Sequence, residues 1–245
     1  SNMLSYLCQR IGLQLISKWS DLVNTETTFL KLRLHEQFDI PLAKILAIQG
    51  GMDAEVLDAA TSPHEKVYDA CFIGRIHPSK GLYDLLEAWK IVCNHKKDAK
   101  LVIIGHGSRD IVDDLKKKVG KSGKIDIKGF LSDQEKYALL KASRLYVLPS
   151  YEEGIPITFY EAMYCGLPIV AYYLPTYSEI QQYISCVGIG DIMGLARKIT
   201  DLLTHGSSTD RICSDGREFA KEHKWDRVAA EIMTGIEKNM LLRRY

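Results

Sequence analysis

The chain has 245 residues, of which 46% are hydrophobic and 26% are charged, and its formal net charge is +1. This is the composition of an ordinary globular protein, and the small net charge excludes any strong electrostatic pull toward nucleic acid. The sequence contains no run of about 18 apolar residues, so it predicts no membrane span. Six cysteines occur without a CxxC pair or zinc-ligand spacing. We therefore expect free thiols, no metal site and a reducing, cytoplasmic location.

The first fifty residues predict a short α/β segment. Apolar periodicity indicates helices over 7–19 and 27–38, and strands over 21–24 and 44–48. Two strands alone do not make a stable parallel sheet. We therefore expect this segment to pack on the rest of the chain or to belong to a larger domain.

From Tyr68 onward, short apolar strands alternate with amphipathic helices. Strands are predicted at 69–74, 100–105, 124–129, 145–149 and 168–173. Helices are predicted at 82–93 and 108–119, then from a capping box at Ser132 and Glu135, and at 158–165. Further helices are predicted at 191–203, 209–222 and 225–240. This βαβα alternation predicts an α/β, Rossmann-like parallel sheet with helices on both faces.

Ligands of such sheets bind at the carboxyl ends of the strands, where two cations follow the first strand of the series. Arg75 and Lys80 lie in the loop from Gly74 to Gly81, which opens the next helix. Arginine grips phosphate oxygens bidentately, and lysine adds a point charge. Two unrelated, solvated charges would give the same sequence pattern. The interpretation of this loop as a phosphate site therefore depends on the rest of the site.

Two glutamates, Glu153 and Glu161, flank the start of a helix after the fourth strand of the series. A helix N-terminus binds anions, and carboxylates accept hydrogen bonds from hydroxyl groups. A sugar attached to a nucleoside diphosphate offers both kinds of group. We expect the glutamates to form the sugar side of such a site, with its phosphate side two strands away.

Glycines follow two further strands. Gly105 and Gly107 form a turn that lacks the third glycine of GxGxxG, so it indicates close approach of a ligand or a tight turn. Gly129 and Phe130 end the third strand of the series, where a flat base could slide against the backbone. A turn with Phe130 in the core fits these residues equally well. The loop histidines 77 and 106 carry no mark of a catalytic base.

Taken together, these segments resemble family 4 of the glycosyltransferases over about residues 20–240. The resemblance is carried by the Arg75–Lys80 loop, Ile104–Gly107, Gly129-Phe130, the E-x7-E pattern of Glu153 and Glu161, and Gly166–Val170. Members are retaining enzymes of the GT-B fold that use nucleotide-sugar donors. The resemblance therefore implies a hexosyltransferase that acts with retention on an unknown sugar or lipid-linked acceptor, in polysaccharide or glycoconjugate synthesis.

The resemblance also implies roles for residues. Arg75 and Lys80 would bind the donor diphosphate, Glu161 the ribose, and Glu153 the transferred sugar near its anomeric centre. Catalytic roles would fall to Glu153, Arg75 and Lys80. The donor contacts would be Arg75, Lys80, Gly105, Gly129, Phe130, Glu153, Gly154, Ile155, Ile157 and Glu161. Pro156 has no N–H, which removes one phosphate-binding amide. No cofactor or metal is implied, because a UDP-, GDP- or ADP-sugar is the substrate.

The same resemblance divides the chain into four parts. Residues 1–53 would be a remnant of the N-terminal acceptor domain, 54–66 a linker, 67–213 the donor-binding domain and 214–245 the C-terminal helices. Most of an acceptor domain is then absent. We expect donor binding more firmly than turnover by this chain, and any peripheral membrane contact would come through the missing N-terminal domain.

Two other classes of protein remain open at this stage. One is a nucleotide-sugar-binding module that is inactive on its own because the acceptor domain is truncated. The other is a non-transferase Rossmann protein such as an NAD-dependent enzyme, which would need the complete GxGxxG that this sequence lacks. A thermal-shift panel of UDP, GDP, ADP and NAD distinguishes them.

Overall fold

The computed structural model describes residues 2–61, 65–120, 124–204 and 210–242, which divide into two compact units. The larger unit runs from Met52 to Lys224. The smaller unit joins the residues up to Gly51 with those from Trp225 onward. Among the described residues, no helix has both the length and the apolar character needed to cross a bilayer.

The smaller unit contains a two-stranded parallel sheet. Its elements up to Gly51 are α1 (Asn2–Trp19), β1 (Val23–Thr25), α2 (Thr28–Phe38) and β2 (Ile45–Ala47). The Thr27 side chain caps α2 by accepting a hydrogen bond from the Leu30 amide at 3.1 Å. The Asn24 side chain bonds both the amide and the carbonyl of Ile48 and so extends the sheet contact beyond β2.

The larger unit alternates strands and helices. Its elements are α3 (Ala54–Ala59), β3 (Tyr68–Ile73), α4 (Leu82–His95), β4 (Leu101–Ile104), α5 (Arg109–Val119), β5 (Ile125–Gly129), α6 (Asp133–Lys141), β6 (Ser143–Leu148), α7 (Ile157–Tyr164), β7 (Ile169–Tyr172), β8 (Ser185–Val187), α8 (Ile192–Thr204) and α9 (Asp210–Lys221). The final helix, α10 (Trp225–Leu242), falls in the smaller unit.

The six strands of the larger unit form one parallel sheet in the order β5-β4-β3-β6-β7-β8. Helix α4 packs against α5 and α8, whereas α7 packs against α9 and α3 against α6. Because helices cover both faces, the central strands are largely apolar, and Phe72, Ile103 and Val170 are fully buried. The predicted Rossmann-like α/β fold is confirmed.

This strand order corrects one expectation about the site. Successive strands run outward from β3 to β5, and the chain then returns to place β6 on the other side of β3. The loops after β3 and β6 are therefore neighbours, not two strands apart. The point where strand order reverses is where ligands bind in sheets of this kind.

Other differences from the sequence expectations are local. Strand β8 was not predicted, because three residues carry too little periodicity to detect. The predicted linker 54–66 begins as α3, which the Asp53 side chain caps at the Val56 amide. The predicted C-terminal helices 214–245 divide between the two units. Positions 62–64, 209 and 243–245 of these predictions lie outside the described residues.

The predicted capping box at the start of α6 is present. The Glu135 amide donates to Ser132 Oγ at 3.3 Å, and the Ser132 amide donates to Glu135 Oε2 at 3.0 Å. This reciprocal pair satisfies two amides that the helix itself leaves unbonded. Helix α6 is therefore anchored at its first residue, next to the loop that follows β5.

Candidate active site at the carboxyl ends of the strands

The loops after β3 and β6 lie side by side because these two strands pair directly. The Tyr151 amide donates to the Ser79 carbonyl at 2.9 Å, which links the two loops through their backbones. Gly81 has φ +64°, and a Cβ atom there would lie 1.8 Å from the Pro149 carbonyl oxygen. Only glycine permits this approach of one loop to the other.

Lys80 and Glu153 form an ion pair between these loops. Lys80 Nζ contacts Glu153 Oε1, and Ser150 Oγ donates to the same oxygen at 2.7 Å. The two side chains are 18% and 12% exposed, so the pair is largely shielded from water. Thr176 Oγ1 donates a hydrogen bond to the Glu153 backbone carbonyl at 3.0 Å. The structure thus brings together a cation and a carboxylate that the sequence assigned to opposite ends of a ligand.

A cavity of about 400 Å³ opens over the ends of β3, β4 and β5. Exposed Arg75 lines it, and no carboxylate lies within 4 Å of that guanidinium in the part of the chain that the structure describes. Gly105, Gly129 and Phe130 line the same cavity. The cavity therefore combines one unpaired cation with backbone that an extended ligand can approach closely.

Gly105 and Phe130 contribute to the cavity lining in different ways, one through its backbone and the other through its exposed ring. Gly105 has φ +152°, and a Cβ atom there would lie 1.8 Å from the Gly74 carbonyl oxygen. The Phe130 side chain is 79% exposed and makes a T-shaped contact with the His106 ring at a centroid distance of 5.9 Å. The alternative in which Phe130 belongs to the core is excluded, because a core phenylalanine would be covered.

Glu161 lies in α7 and is only 4% exposed. Its Oε1 accepts a hydrogen bond from the Tyr137 hydroxyl at 2.8 Å and lies 3.3 Å from Lys136 Nζ. Its Oε2 has no hydrogen-bond partner among the described residues. Burial, followed by the charge and hydrogen bond of Glu161, raises the pKa of Tyr137, so this hydroxyl stays a donor. Sequence reasoning missed Lys136 and Tyr137, because nothing in α6 itself shows that it faces α7.

The start of α7 faces the same loops. Pro156 occupies the position before the helix with φ −64°, as a proline can, and it gives no side-chain cap. Ile155 is buried and Ile157 is 42% exposed, so the first turn of α7 is reached from the solvent side. Amides of a first helical turn lack intrahelical partners and carry the positive end of the helix dipole. An anion near Gly154 would meet that end.

A further cluster, also unpredicted, braces the loop that carries Glu153. Asp84 Oδ2 accepts hydrogen bonds from the hydroxyls of Tyr151 and Tyr172, each at 2.7 Å. Burial and the hydrogen bond to Asp84 raise the pKa of Tyr151 to about 12. The carboxylate therefore ties the loop after β6 and the end of β7 to helix α4.

Asp84→Asn is expected to lower the free energy of unfolding by about 1–2 kcal/mol, because the acceptor of two hydrogen bonds loses its charge. Urea denaturation measures the loss. Asp114→Asn is the matched control, since Asp114 accepts from a single tyrosine hydroxyl, that of Tyr83, at 2.8 Å. An equal or larger loss in the control would contradict a special bracing role for Asp84.

Comparison with known proteins places this arrangement in a family. Residues 53–219 match the family model described as glycosyl transferases group 1. An uncharacterized glycosyltransferase of Methanocaldococcus jannaschii is 28% identical, with 85% of this chain and 58% of the relative covered. The O-antigen chain mannosyltransferase B of Escherichia coli is 25% identical, with 69% and 45% covered. Glycogen synthase of Mycobacterium tuberculosis is 26% identical, with 86% and 52% covered. The chain thus spans about half the length of the curated relatives it matches.

Solved structures share the fold. Anabaena HepE, in a crystal structure with UDP-glucose, has a TM-score of 0.80 at 19% identity, with 94% of this chain and 67% of that chain covered. Staphylococcus aureus TarM, in a complex that contains UDP, has a TM-score of 0.73 at 22% identity, with 91% and 45% covered. The larger unit, with its parallel sheet, has the Rossmann-like fold of the C-terminal domain of GT-B proteins. Because the family model matches well over half of its residues, this chain belongs to the glycosyl transferases group 1 family.

Proposed function

We propose that this chain binds a nucleoside-diphosphate sugar and supplies the donor half of a retaining glycosyltransferase. One observation carries the proposal: Lys80 and Glu153 meet where the strand order reverses, between the loop that also carries Arg75 and the loop that opens α7, the helix of Glu161. Few ligands need all of these groups at once. A nucleotide sugar does, because its diphosphate seeks cations and amides while its ribose and hexose hydroxyls seek acceptors.

The diphosphate is assigned to Arg75, Lys80 and the first turn of α7. Lys80 is held by Glu153 without a ligand and is proposed to turn from the carboxylate to a phosphate oxygen. Glu153 keeps the hydrogen bond from Ser150 and gains free acceptor capacity for hydroxyls of the transferred sugar. The exchange replaces one charged contact of Lys80 with another, and the cation is proposed to stay between the diphosphate and Glu153, where it keeps the two negative groups apart.

The nucleoside is assigned to the cavity beside Arg75. The unpartnered Oε2 of Glu161 would accept a hydrogen bond from a ribose hydroxyl. The base would lie against the backbone at Gly105 and Gly129, with Phe130 exposed for contact with its face. UDP-, GDP- and ADP-sugars all fit this assignment.

The proposed reaction breaks the bond between the anomeric carbon and the phosphate oxygen, and both electrons leave with the diphosphate. Arg75, Lys80 and the α7 amides stabilise that developing charge more in the transition state than in the ground state. The acceptor hydroxyl attacks from the leaving-group face, which retains the configuration, and its proton passes to a phosphate oxygen. The two cations supply charge stabilisation without a metal ion.

Relatives support a sugar-transfer role. They include an O-antigen chain mannosyltransferase and a glycogen synthase, and solved structures of the same fold contain UDP-glucose or UDP. By analogy, the acceptor of this protein is proposed to be a sugar or a lipid-linked sugar in polysaccharide or glycoconjugate synthesis, on the cytoplasmic side.

A second candidate is a nucleotide-sugar-binding module without turnover of its own. The groups that carry the proposal, Arg75, Lys80, Glu153 and Glu161, are all assigned to the donor, and such a module needs these same groups. Both candidates predict donor binding. Only the glycosyltransferase transfers the sugar to an acceptor. NMR of the products detects this transfer and shows the anomeric configuration.

Calorimetry with UDP, GDP, ADP and NAD tests the shared part of the proposal. One nucleoside diphosphate is expected to bind, and Glu161→Gln is expected to weaken it about 10-fold, because the ribose loses a charged acceptor. Glu87→Gln is the matched control, since Glu87 is an exposed glutamate of α4 paired with Lys90. Binding of NAD alone, or equal affinity in Glu161→Gln and the wild type, would overturn the assignment.

A further inference from the structure

The two carboxylate oxygens of Glu161 have very different surroundings. Oε1 receives the Tyr137 hydroxyl at 2.8 Å and has Lys136 Nζ at 3.3 Å. Oε2 is buried and has no partner among the described residues. Both donors come from consecutive residues of α6 and converge on one oxygen. The carboxylate is thereby held in one orientation, with its remaining acceptor capacity on Oε2.

An oriented, buried and unpaired acceptor favours a ligand that donates to it. Leaving such an oxygen without a partner costs free energy, and a hydroxyl that reaches it recovers that cost. A ligand without the hydroxyl leaves the cost in place. Sites built in this way discriminate strongly against the analogue that lacks the donor.

Lys136 lies between the nucleoside cavity and Glu161. It lines the cavity of about 400 Å³, whereas Oε2 of Glu161 is covered. Lys136 Nζ also lies 2.9 Å from Oδ1 of Asp133, one turn earlier in α6. Lys136 is therefore held between two carboxylates, and its position beside Oε1 of Glu161 is fixed from both sides.

From this geometry we infer that Tyr137 and Lys136 are positioning residues for ribose recognition, which hold Glu161 so that Oε2 alone accepts a ribose hydroxyl. The inference rests on the proposed function, in which Glu161 binds the ribose. It adds that the preference for ribose over deoxyribose depends on two residues of α6 that do not themselves bond the hydroxyl.

Calorimetry on the intact chain tests this with UDP, 2′-deoxy-UDP and 3′-deoxy-UDP, or with the same set for the base that the nucleotide panel selects. For the wild type, the Kd of at least one deoxy analogue is expected to exceed that of the ribonucleotide by about 10- to 100-fold. Tyr137→Phe is expected to lower this ratio about 3- to 10-fold, because Oε1 loses a donor and competes for the hydroxyl. Lys136→Met is expected to lower it as well.

Tyr83→Phe is the matched control, because its hydroxyl also donates to a carboxylate, Asp114, but lies outside the cavity lining. It is expected to keep the wild-type ratio. Thermal melting checks that each variant folds. If Tyr137→Phe does not fold, the ratio of Kd values for Lys136→Met tests the inference.

The measured affinities test the positioning role of α6 and the proposed function separately. A ratio that collapses in Glu161→Gln but stays at the wild-type value in Tyr137→Phe and Lys136→Met overturns the inference and leaves the proposed function standing. A wild-type chain that binds no nucleoside diphosphate overturns the proposed function. A wild-type ratio near one removes the ribose role of Glu161.

Discussion

Lys80→Ala is expected to weaken the binding of a nucleoside diphosphate by about 10- to 100-fold, and by more than Arg75→Ala does. Each variant removes a charged contact to phosphate. Only Lys80→Ala also leaves Glu153, whose side chain is 12% exposed, without its ion-pair partner. That uncompensated carboxylate would lie beside the incoming diphosphate and repel it.

A double-mutant cycle separates the two causes. If the free carboxylate adds to the loss, Glu153→Gln in the Lys80→Ala background is expected to restore part of the affinity. Lys90→Ala is the charge-matched control, because Lys90 is exposed on α4 and pairs with Glu87 at 2.7 Å. Calorimetry with the preferred nucleotide measures all of these variants. Unchanged affinity in both Lys80→Ala and Arg75→Ala would refute the phosphate assignment.

The secondary structure of the larger unit was largely predictable because its signals are local. Alternating apolar strands and stripes of apolar residues at helical spacing define the elements from β3 to α9, apart from β8. The capping box at Ser132 could be identified from two side chains three positions apart. The βαβ alternation then allows little besides a parallel sheet covered by helices.

The arrangement of the site was less predictable because it depends on which strands pair. Nothing in the sequence shows that β6 returns to the side of β3, and that pairing brings Lys80 to Glu153. Nothing in the sequence distinguishes Lys136 and Tyr137 from ordinary helix residues. They become part of the site only because α6 faces α7 at Glu161. Exposure is a tertiary property as well, which is why Phe130 fitted both a core and a cavity role until its surroundings were known.

The second large effect is expected at Gly81, where two loops of the site touch. Gly81→Ala would place a Cβ atom 1.8 Å from the Pro149 carbonyl oxygen, much closer than any allowed contact. The loops after β3 and β6 would have to separate, and Lys80 would move away from Glu153. We expect nucleoside-diphosphate affinity to fall at least about 10-fold, through loss of the oriented phosphate contacts. We also expect the free energy of unfolding to fall by about 3 kcal/mol or more, from backbone strain and the clash together.

Gly120→Ala is the control that isolates the contact between the loops. Gly120 has the same φ of +64°, but its ψ of −155° suits alanine even less than the ψ of 24° at Gly81. Apart from its own neighbours along the chain, no described residue has an atom within 4 Å of its added Cβ. Local strain is thus at least as large at Gly120, whereas only Gly81→Ala forces the two loops apart. Calorimetry is expected to show wild-type affinity for Gly120→Ala and a loss for Gly81→Ala. Wild-type affinity in Gly81→Ala would mean that the spacing of these loops does not govern donor binding.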